Sequence, residues 1–182
     1  MTNRPARSPG RADPEPPYIG AMAPVPASPS ELDQLAERIA SWLEDLRVEN
    51  PAIEAVDRDD TGVRRWFVRM AGEERDHTTV WLHLRQRTLH HETYVLPAPV
   101  DEPARFYEHL LRRNVGLHGL AFAIGEEDAA YLVGEVPVEG LDRDLLDQLL
   151  GLHHQTVERC FRPALRLGFT SLLPPDPDPP TP

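Results

Sequence analysis

Apolar positions along this chain repeat first at helical spacing and then at alternate residues, and the points where the period changes divide it into elements. Leu32, Leu35, Ala36, Ile39, Leu43 and Leu46 form one stripe, with Glu37, Arg38 and Glu44 off it, which predicts an amphipathic core helix. Its start is marked by Ser28 as N-cap, Pro29 at the first helical position and Glu31 closing a capping box. Beyond Asn50 and Pro51 the period is two. Segments near 63–70, 78–85 and 88–96, rich in valine, threonine and aromatics, read as a three-strand meander. A polar turn from Gly72 to Asp76 joins the first two, and a tight hairpin at Gln86 and Arg87 the next. Trp66, Val68 and Met70 with Val80, Leu82 and Leu84 make the core face of these strands.

Asp101 is placed to cap a second helix containing Phe106, Tyr107, Leu110 and Leu111, which ends at Arg112 and Arg113 with Asn114 able to take the left-handed conformation. Residues 120–124 and 130–136 form a second hairpin around Gly125 to Asp128 that stops at Pro137. A third helix starts at Asp142, with Leu141 stapled onto Leu146 and a stripe through Leu149, His153, Val157, Cys160, Phe161 and Ala164. Gly151 weakens it and Pro163 limits it, so about 20 residues and roughly 30 Å are expected. The fold class is α+β, an antiparallel sheet with helices in the order α-β-β-β-α-β-β-α. No βαβ alternation calls for a doubly wound sheet.

Length and composition set the boundaries. A chain of 182 residues with 40% hydrophobic content makes one folded unit. Seven of its 20 prolines lie in residues 1–27 and six in 174–182. Residues 1–27 and 174–182 are therefore expected to be disordered tails around a domain at 28–173. Tyr18, Ile19, Met22 and Val25 are an exception within the first tail, apolar enough to dock on the domain as an internal mimic of a partner. The N-terminal stretch lacks the apolar core of a secretory signal, and no run approaches the ~20 apolar residues of a membrane span. A single cysteine, Cys160, fits a reducing compartment, so the protein reads as cytoplasmic.

Charge narrows the partners. All 19 cations are arginine, against 30 Asp and Glu, giving a net charge of -11. That balance opposes both nucleic acid and anionic membranes. The absence of lysine excludes a Walker A loop, a Schiff-base lysine and the kinase strand lysine.

No set of residues along the chain makes a chemical site. His83, His90, His91 and Glu92 are the nearest approach to a metal set, but His90 and His91 must point to opposite faces of a strand, and solvated strand histidines are the simpler reading. His153 and Cys160 lie about 10.5 Å apart along a helix, too far for a nucleophile and its base, so Cys160 reads as a buried core thiol. Ser30 and Ser41 lie in the first helix without the context of a nucleophile elbow. Asp57, Asp59 and Asp60, Glu126 to Asp128, and Asp142 with Asp144 fall at turns and helix starts, where acidic residues belong structurally. No catalytic residue, metal or cofactor is assigned.

The strand face opposite the core is a better lead. There Arg65, Phe67 and Arg69 alternate with Trp81, His83 and Arg85, a mixture of aromatics and arginine typical of partner surfaces. Arginine stems covering aromatics on a solvated sheet explain it equally well.

The element order, together with Gln86-Arg87-Thr88-Leu89, Leu110-Leu111-Arg112-Arg113-Asn114, Tyr131-Leu132-Val133-Gly134 and Arg162-Pro163-Ala164-Leu165-Arg166-Leu167-Gly168-Phe169, resembles the YbjN family over roughly residues 30–169. The resemblance implies the fold of type III secretion chaperones, small α+β domains that hold extended segments of other proteins, often as dimers. The family is also described as a sensory transduction regulator. It brings no catalytic residues. Residues and resemblance together point to a non-enzymatic binding module, chaperone-like or regulatory: Phe67, Trp81, Arg65, Arg69 and Arg85, read from the strand face, are expected to hold a protein partner, and the resemblance suggests a homodimer through the second helix, whose more exposed pair is Tyr107 and Leu111. The rival readings are a small-molecule-binding sensory regulator and a cryptic metal hydrolase.

Overall fold

The computed structural model describes residues 26–174. The expected tails, and with them Tyr18, Ile19, Met22 and Val25, lie almost wholly outside the described residues.

Helix α1 spans Pro29–Glu49, and its capping box is formed as the sequence indicates: Ser28 Oγ accepts from Glu31 N while the Glu31 carboxylate accepts from Ser28 N at 2.8 Å. All six residues of its apolar stripe are buried. Strands β1 (Ile53–Arg58), β2 (Arg65–Ala71), β3 (His77–Leu84) and β4 (Thr88–Leu96) follow, then α2 (Pro103–Arg113), β5 (Ala121–Ile124), β6 (Ala130–Pro137) and α3 (Arg143–Gly168). The strands form one antiparallel sheet in the order β1-β2-β3-β4-β6-β5. The class is the expected one, with an additional edge strand. β1 was not legible because a bulge between Ile53 and Ala55 breaks its alternation and only Ile53 is buried.

The helices correct three further expectations. Asp101 does not cap α2: the N-cap is Glu102, at φ 45°, and the Asp101 carboxylate instead accepts from Ser171 N and Oγ, both at 2.8 Å. Asn114 is right-handed and uses its side chain to hold β5, accepting from Phe122 N at 2.7 Å and donating to Phe122 O at 3.2 Å. Helix α3 runs for 26 residues, straight through Pro163. Pro163 leaves the Arg159 carbonyl without its helical donor. The turns beyond it are held by tertiary contacts instead. Ala164 and Gly168 are buried, and Gly168 O accepts from Val100 N at 2.9 Å and Asp101 N at 2.8 Å. A Cβ on Gly168 would lie 2.8 Å from Phe106 and 2.9 Å from Pro99, so only glycine admits this approach. The start of α3 is as read: Asp142 Oδ1 accepts from Leu145 N at 2.8 Å, and Leu141 and Leu146 share one core.

Three helices cover one face of the sheet with two apolar cores. The first joins α1 and the start of α3 to β1, β2, β3 and Leu89. The second joins α2 and the later turns of α3 to Val95, Leu96, Phe122 and Leu132. The buried polar residues Thr78, His91, Thr93 and His153 lie on the same strand faces and helix stripe as the two cores and belong to neither. Near them the sheet splits. β3 and β4 pair only from Trp81–Leu84 to Leu89–Glu92, while His77–Val80 continue on β2 and Thr93–Leu96 on β6. Arg75, from the β2–β3 loop, reaches Tyr94 on the far side of that split. Its Nη1 donates to Tyr94 O at 2.6 Å, and its guanidinium lies 6.0 Å from the Tyr94 ring and 5.6 Å from that of Phe161.

Candidate functional site: the open face of the sheet

Strand register turns the outward-facing residues into a grid. Phe67, Trp81, Glu92 and Val133 are opposed across four strands, and the next row is Arg65, His83, His90 and Glu135. A row holding Phe67 and Trp81 therefore lies beside one holding Arg65 and two histidines, and each row includes a glutamate. Phe67 and Trp81 meet edge to face at 5.6 Å, and Tyr94 and Tyr131 do so at 5.5 Å. Trp81 remains 40% exposed because none of the helices crosses this face.

Each arginine singled out by the sequence lies on this face beside a carboxylate: Arg65 at 3.6 Å from Asp59, Arg69 at 3.3 Å from Glu54 and Arg85 at 3.4 Å from Glu135. Arg85 and Glu135 are both exposed, and a pair of this kind contributes about 0–1 kcal/mol, so a better-placed carboxylate competes with it readily; Asp59 and Glu54 are more enclosed than the arginines they meet. Arg65, Trp81, His83, Arg85, His90 and Glu92 surround a pocket of about 180 Å³. Partial burial, then the neighbouring Arg65, Arg85 and His90, hold the His83 pKa below its ordinary value. His90 and Glu92 lie 3.2 Å apart.

His91 departs from the expectation of solvated strand histidines: it is buried on the opposite face from His90. His91 Nδ1 lies 2.8 Å from His153 Nε2, and His153 Nδ1 lies 2.9 Å from Thr93 Oγ1. His91 Nε2 has no hydrogen-bond partner among the described residues. A Cβ on Gly134 would come within 2.3 Å of both the His91 ring and the Gly119 carbonyl, so this site requires glycine. Burial pushes the His91 pKa down to about 4 and that of His153 to about 3, so at neutral pH both rings are uncharged. Alternation already held the signal for this network, since His91 and Thr93 fall in phase with Leu89 and Val95, and His153 lies on the α3 stripe. A polar residue in phase with a core on two elements is a candidate buried pair.

The other chemical candidates fall where their sequence context put them. Cys160 is fully buried, and burial raises its thiol to about 11, outside the range of a nucleophile at neutral pH. Among the described residues no group of three or more His, Cys, Asp or Glu converges as a metal set. No helix among them is long and apolar enough to cross a membrane.

On α2, Phe106 and Leu110 are buried and Leu111 is 55% exposed. Tyr107 is only half-buried and is tethered, its hydroxyl donating to Asp128 O at 2.6 Å. Its exposed apolar neighbour beside Leu111 is Ile124, across a small cleft that also includes Phe122 and Ala123.

Residues 35–166 match the YbjN family, described as "Putative bacterial sensory transduction regulator". An uncharacterized protein of Mycobacterium leprae is 31% identical over 112 residues, 62% of this chain and 61% of that protein. An uncharacterized protein of Mycobacterium tuberculosis is 31% identical over 107 residues, 59% of this chain and 58% of that one. The chain thus spans about three fifths of the length of these relatives. Among solved structures, it is similar to a chain of the HopA1–SchA chaperone–effector complex, with TM-score 0.49, 14% identity and coverage of 72% of this chain and 98% of that one. It is also similar to a chain of the ExoU–SpcU complex from the type III secretion system of Pseudomonas aeruginosa, with TM-score 0.46, 14% identity, and 68% and 95% coverage.

Proposed function

The chain belongs to the YbjN family, and from that premise we propose that it is a non-enzymatic protein-binding module, chaperone-like or regulatory, acting in the cytoplasm. The open sheet face is its binding surface. The observation that carries this reading is the pair of aromatic contacts, Phe67–Trp81 and Tyr94–Tyr131, on a face that none of the helices covers. Rings left in water there offer apolar area that a partner removes at about 25 cal/mol per Å², before the costs of association.

The loosely paired Arg65, Arg69 and Arg85 specify the partner's chemistry. It is an extended protein segment carrying apolar residues and carboxylates, not nucleic acid or membrane, which a chain of net charge -11 repels. Neither a catalytic constellation nor a cofactor enters this reading. A small-molecule regulator is the second reading, favoured by a cleft of about 460 Å³ beside Gly72, His154 and Glu158. One feature weighs against it: His154 Nε2 is already hydrogen-bonded to Ala71 O at 2.7 Å. Glu158 Oε2 accepts from Glu73 N at 2.8 Å and Glu74 N at 2.9 Å, while its Oε1 has no partner among the described residues.

The test is capture from native cytosol with the unmodified chain and with Trp81→Ala, then affinity measurement on the protein recovered. Loss of an anchor on the order of 2 kcal/mol, roughly 30-fold in Kd, is expected. Unchanged affinity with Trp81→Ala places the binding surface elsewhere. We also propose a homodimer through α2, with Leu111 and Tyr107 at its centre. Sedimentation of the unmodified chain is expected to show a dimer that Leu111→Glu converts to a monomer, and a monomer at every concentration removes the dimer.

A further inference from the structure

His83 is enclosed on four sides of the open face. Across the strands it is opposed by Arg65 on β2 and His90 on β4, and along the chain it stands between Trp81 and Arg85. With Glu92 these residues line the pocket of about 180 Å³. That volume is the share of about six water molecules and lies below the roughly 300 Å³ at which pockets for whole small molecules begin. It suits a single side-chain group.

The charges around this pocket are close to balance. Two guanidiniums, Arg65 and Arg85, line it against one carboxylate, Glu92, which lies 3.2 Å from His90 Nε2. Asp59, 3.6 Å from Arg65, and Glu135, 3.4 Å from Arg85, bring the carboxylates to three. With His83 and His90 neutral the set therefore carries one excess negative charge, and with both protonated one excess positive charge. Arginine does not titrate, and histidine is the side chain whose charge ordinarily changes between pH 5 and 8. The sign of the pocket is thus set by the two imidazoles.

We propose that this pocket is a proton-gated subsite for one carboxylate of the partner segment, so that capture strengthens as pH falls from 8 to 6. The inference rests on the open face being the binding face. Trp81 is a wall of the same pocket, so the apolar anchor and the carboxylate are taken side by side. An extended segment lying along β3 presents same-side residues about 7 Å apart, matching the step from Trp81 to His83. The partner therefore carries its carboxylate two positions from its apolar anchor.

The sign of the pH dependence follows from what the ring faces. In the empty pocket partial burial, then Arg65, Arg85 and His90, outweigh Glu92 and hold the His83 pKa below its ordinary value, so at pH 8 the ring is neutral. A carboxylate seated among Arg65, His83 and Arg85 favours the charged imidazole, and a proton is taken up on binding. By reciprocity, affinity rises as protons are added.

The test measures peptide affinity for the full chain at pH 6 and pH 8. One probe is an acetylated, amidated peptide with phenylalanine and glutamate two positions apart. The second has glutamine in place of glutamate, and the third ends two positions after phenylalanine in a free carboxylate. At least about 10-fold tighter binding at pH 6 is expected for a carboxylate peptide, within the ceiling of about 10-fold per pH unit for each proton taken up. Whether the glutamate or the free-ended peptide responds identifies the carboxylate as a side chain or a chain end. The glutamine peptide is expected to show no change, and His83→Gln combined with His90→Gln to abolish the dependence. His91 and His153 remain in that variant, so an effect of acid on folding survives there and is told apart. Absent binding at pH 6, equal affinity at both pH values, an equal response from the glutamine peptide, or a dependence that persists in the double variant overturns the proposal. Capture from native cytosol is read separately: capture that needs Trp81 but is equal at both pH values sinks only the subsite, and capture indifferent to Trp81 sinks the face.

Discussion

Trp66 and Trp81 stand on neighbouring strands and His90 and His91 on neighbouring residues, yet in each pair one member is sealed beneath the helices and the other lies on the open face. Trp66 is 1% exposed and Trp81 40%. His90 sits beside Glu92, whereas His91 is locked to His153 and held uncharged by burial. The buried face uses its large and polar groups to define one packing. On the open face the same residue types are barely constrained by the fold, which leaves them free for recognition. If that contrast holds, equivalent changes on the two faces must have different consequences, and the predictions below are ordered by the size of that difference.

Trp66→Ala is expected to cost the most. It removes a fully buried ring from the core beneath α1, and substitutions of this kind cost about 3–5 kcal/mol. Trp66 Nε1 has no hydrogen-bond partner among the described residues, so no polar bond is lost in addition. The midpoint of denaturant unfolding measures it. A cost below about 1 kcal/mol would mean that Trp66 is not core and the face assignment is inverted.

Acid probes the histidines. Both His91 and His153 have folded-state pKa values below the ordinary 6.5, so as pH falls the unfolded chain takes up protons first. Their contribution is at its full value above about pH 6.5 and is lost as pH drops toward 4 and 3. At pH 5 the loss is about 2 kcal/mol for each ring. This window lies above that of the carboxylates, which separates the two. Stability measured between pH 7 and 5 should fall accordingly, and ring resonances of His91 and His153 should not titrate above about pH 5. A flat profile refutes the buried, neutral pair.

Much of this contrast was legible in the sequence because it follows from period. Leu32 to Leu46 fixed the buried stripe of α1, and the alternation of Trp66 with Phe67 and of Leu82 with Trp81 fixed which strand face turns inward. What was lost depended on contacts between distant segments. The β1 bulge, the diversion of Asp101 to Ser171, and the passage of α3 through Pro163 under the grip of Val100 and Asp101 on Gly168 are all tertiary overrides of a local rule. At the candidate site the residues on the face could be named, but not the loose carboxylate pairing of its arginines, since Glu54 and Asp59 come from an edge strand and a turn whose register the sequence does not reveal.

The smallest expected effect is on the stability of Trp81→Ala, and it discriminates most sharply. Trp81 leans on Phe67 in a single edge-to-face contact, which is worth about 0.5–1.5 kcal/mol beyond area. Its neighbours are Glu92 across the strand pair and the polar pocket of Arg65, His83 and His90, which lose little when the ring is removed. The cost to folding should therefore be about 1 kcal/mol, several-fold below that of Trp66→Ala in the same denaturant titration. The ring's large effect is reserved for capture, where its exposed area is what a partner buries. If Trp81→Ala destabilises the chain as much as Trp66→Ala does, the ring is structural, and a partner has no anchor on this face.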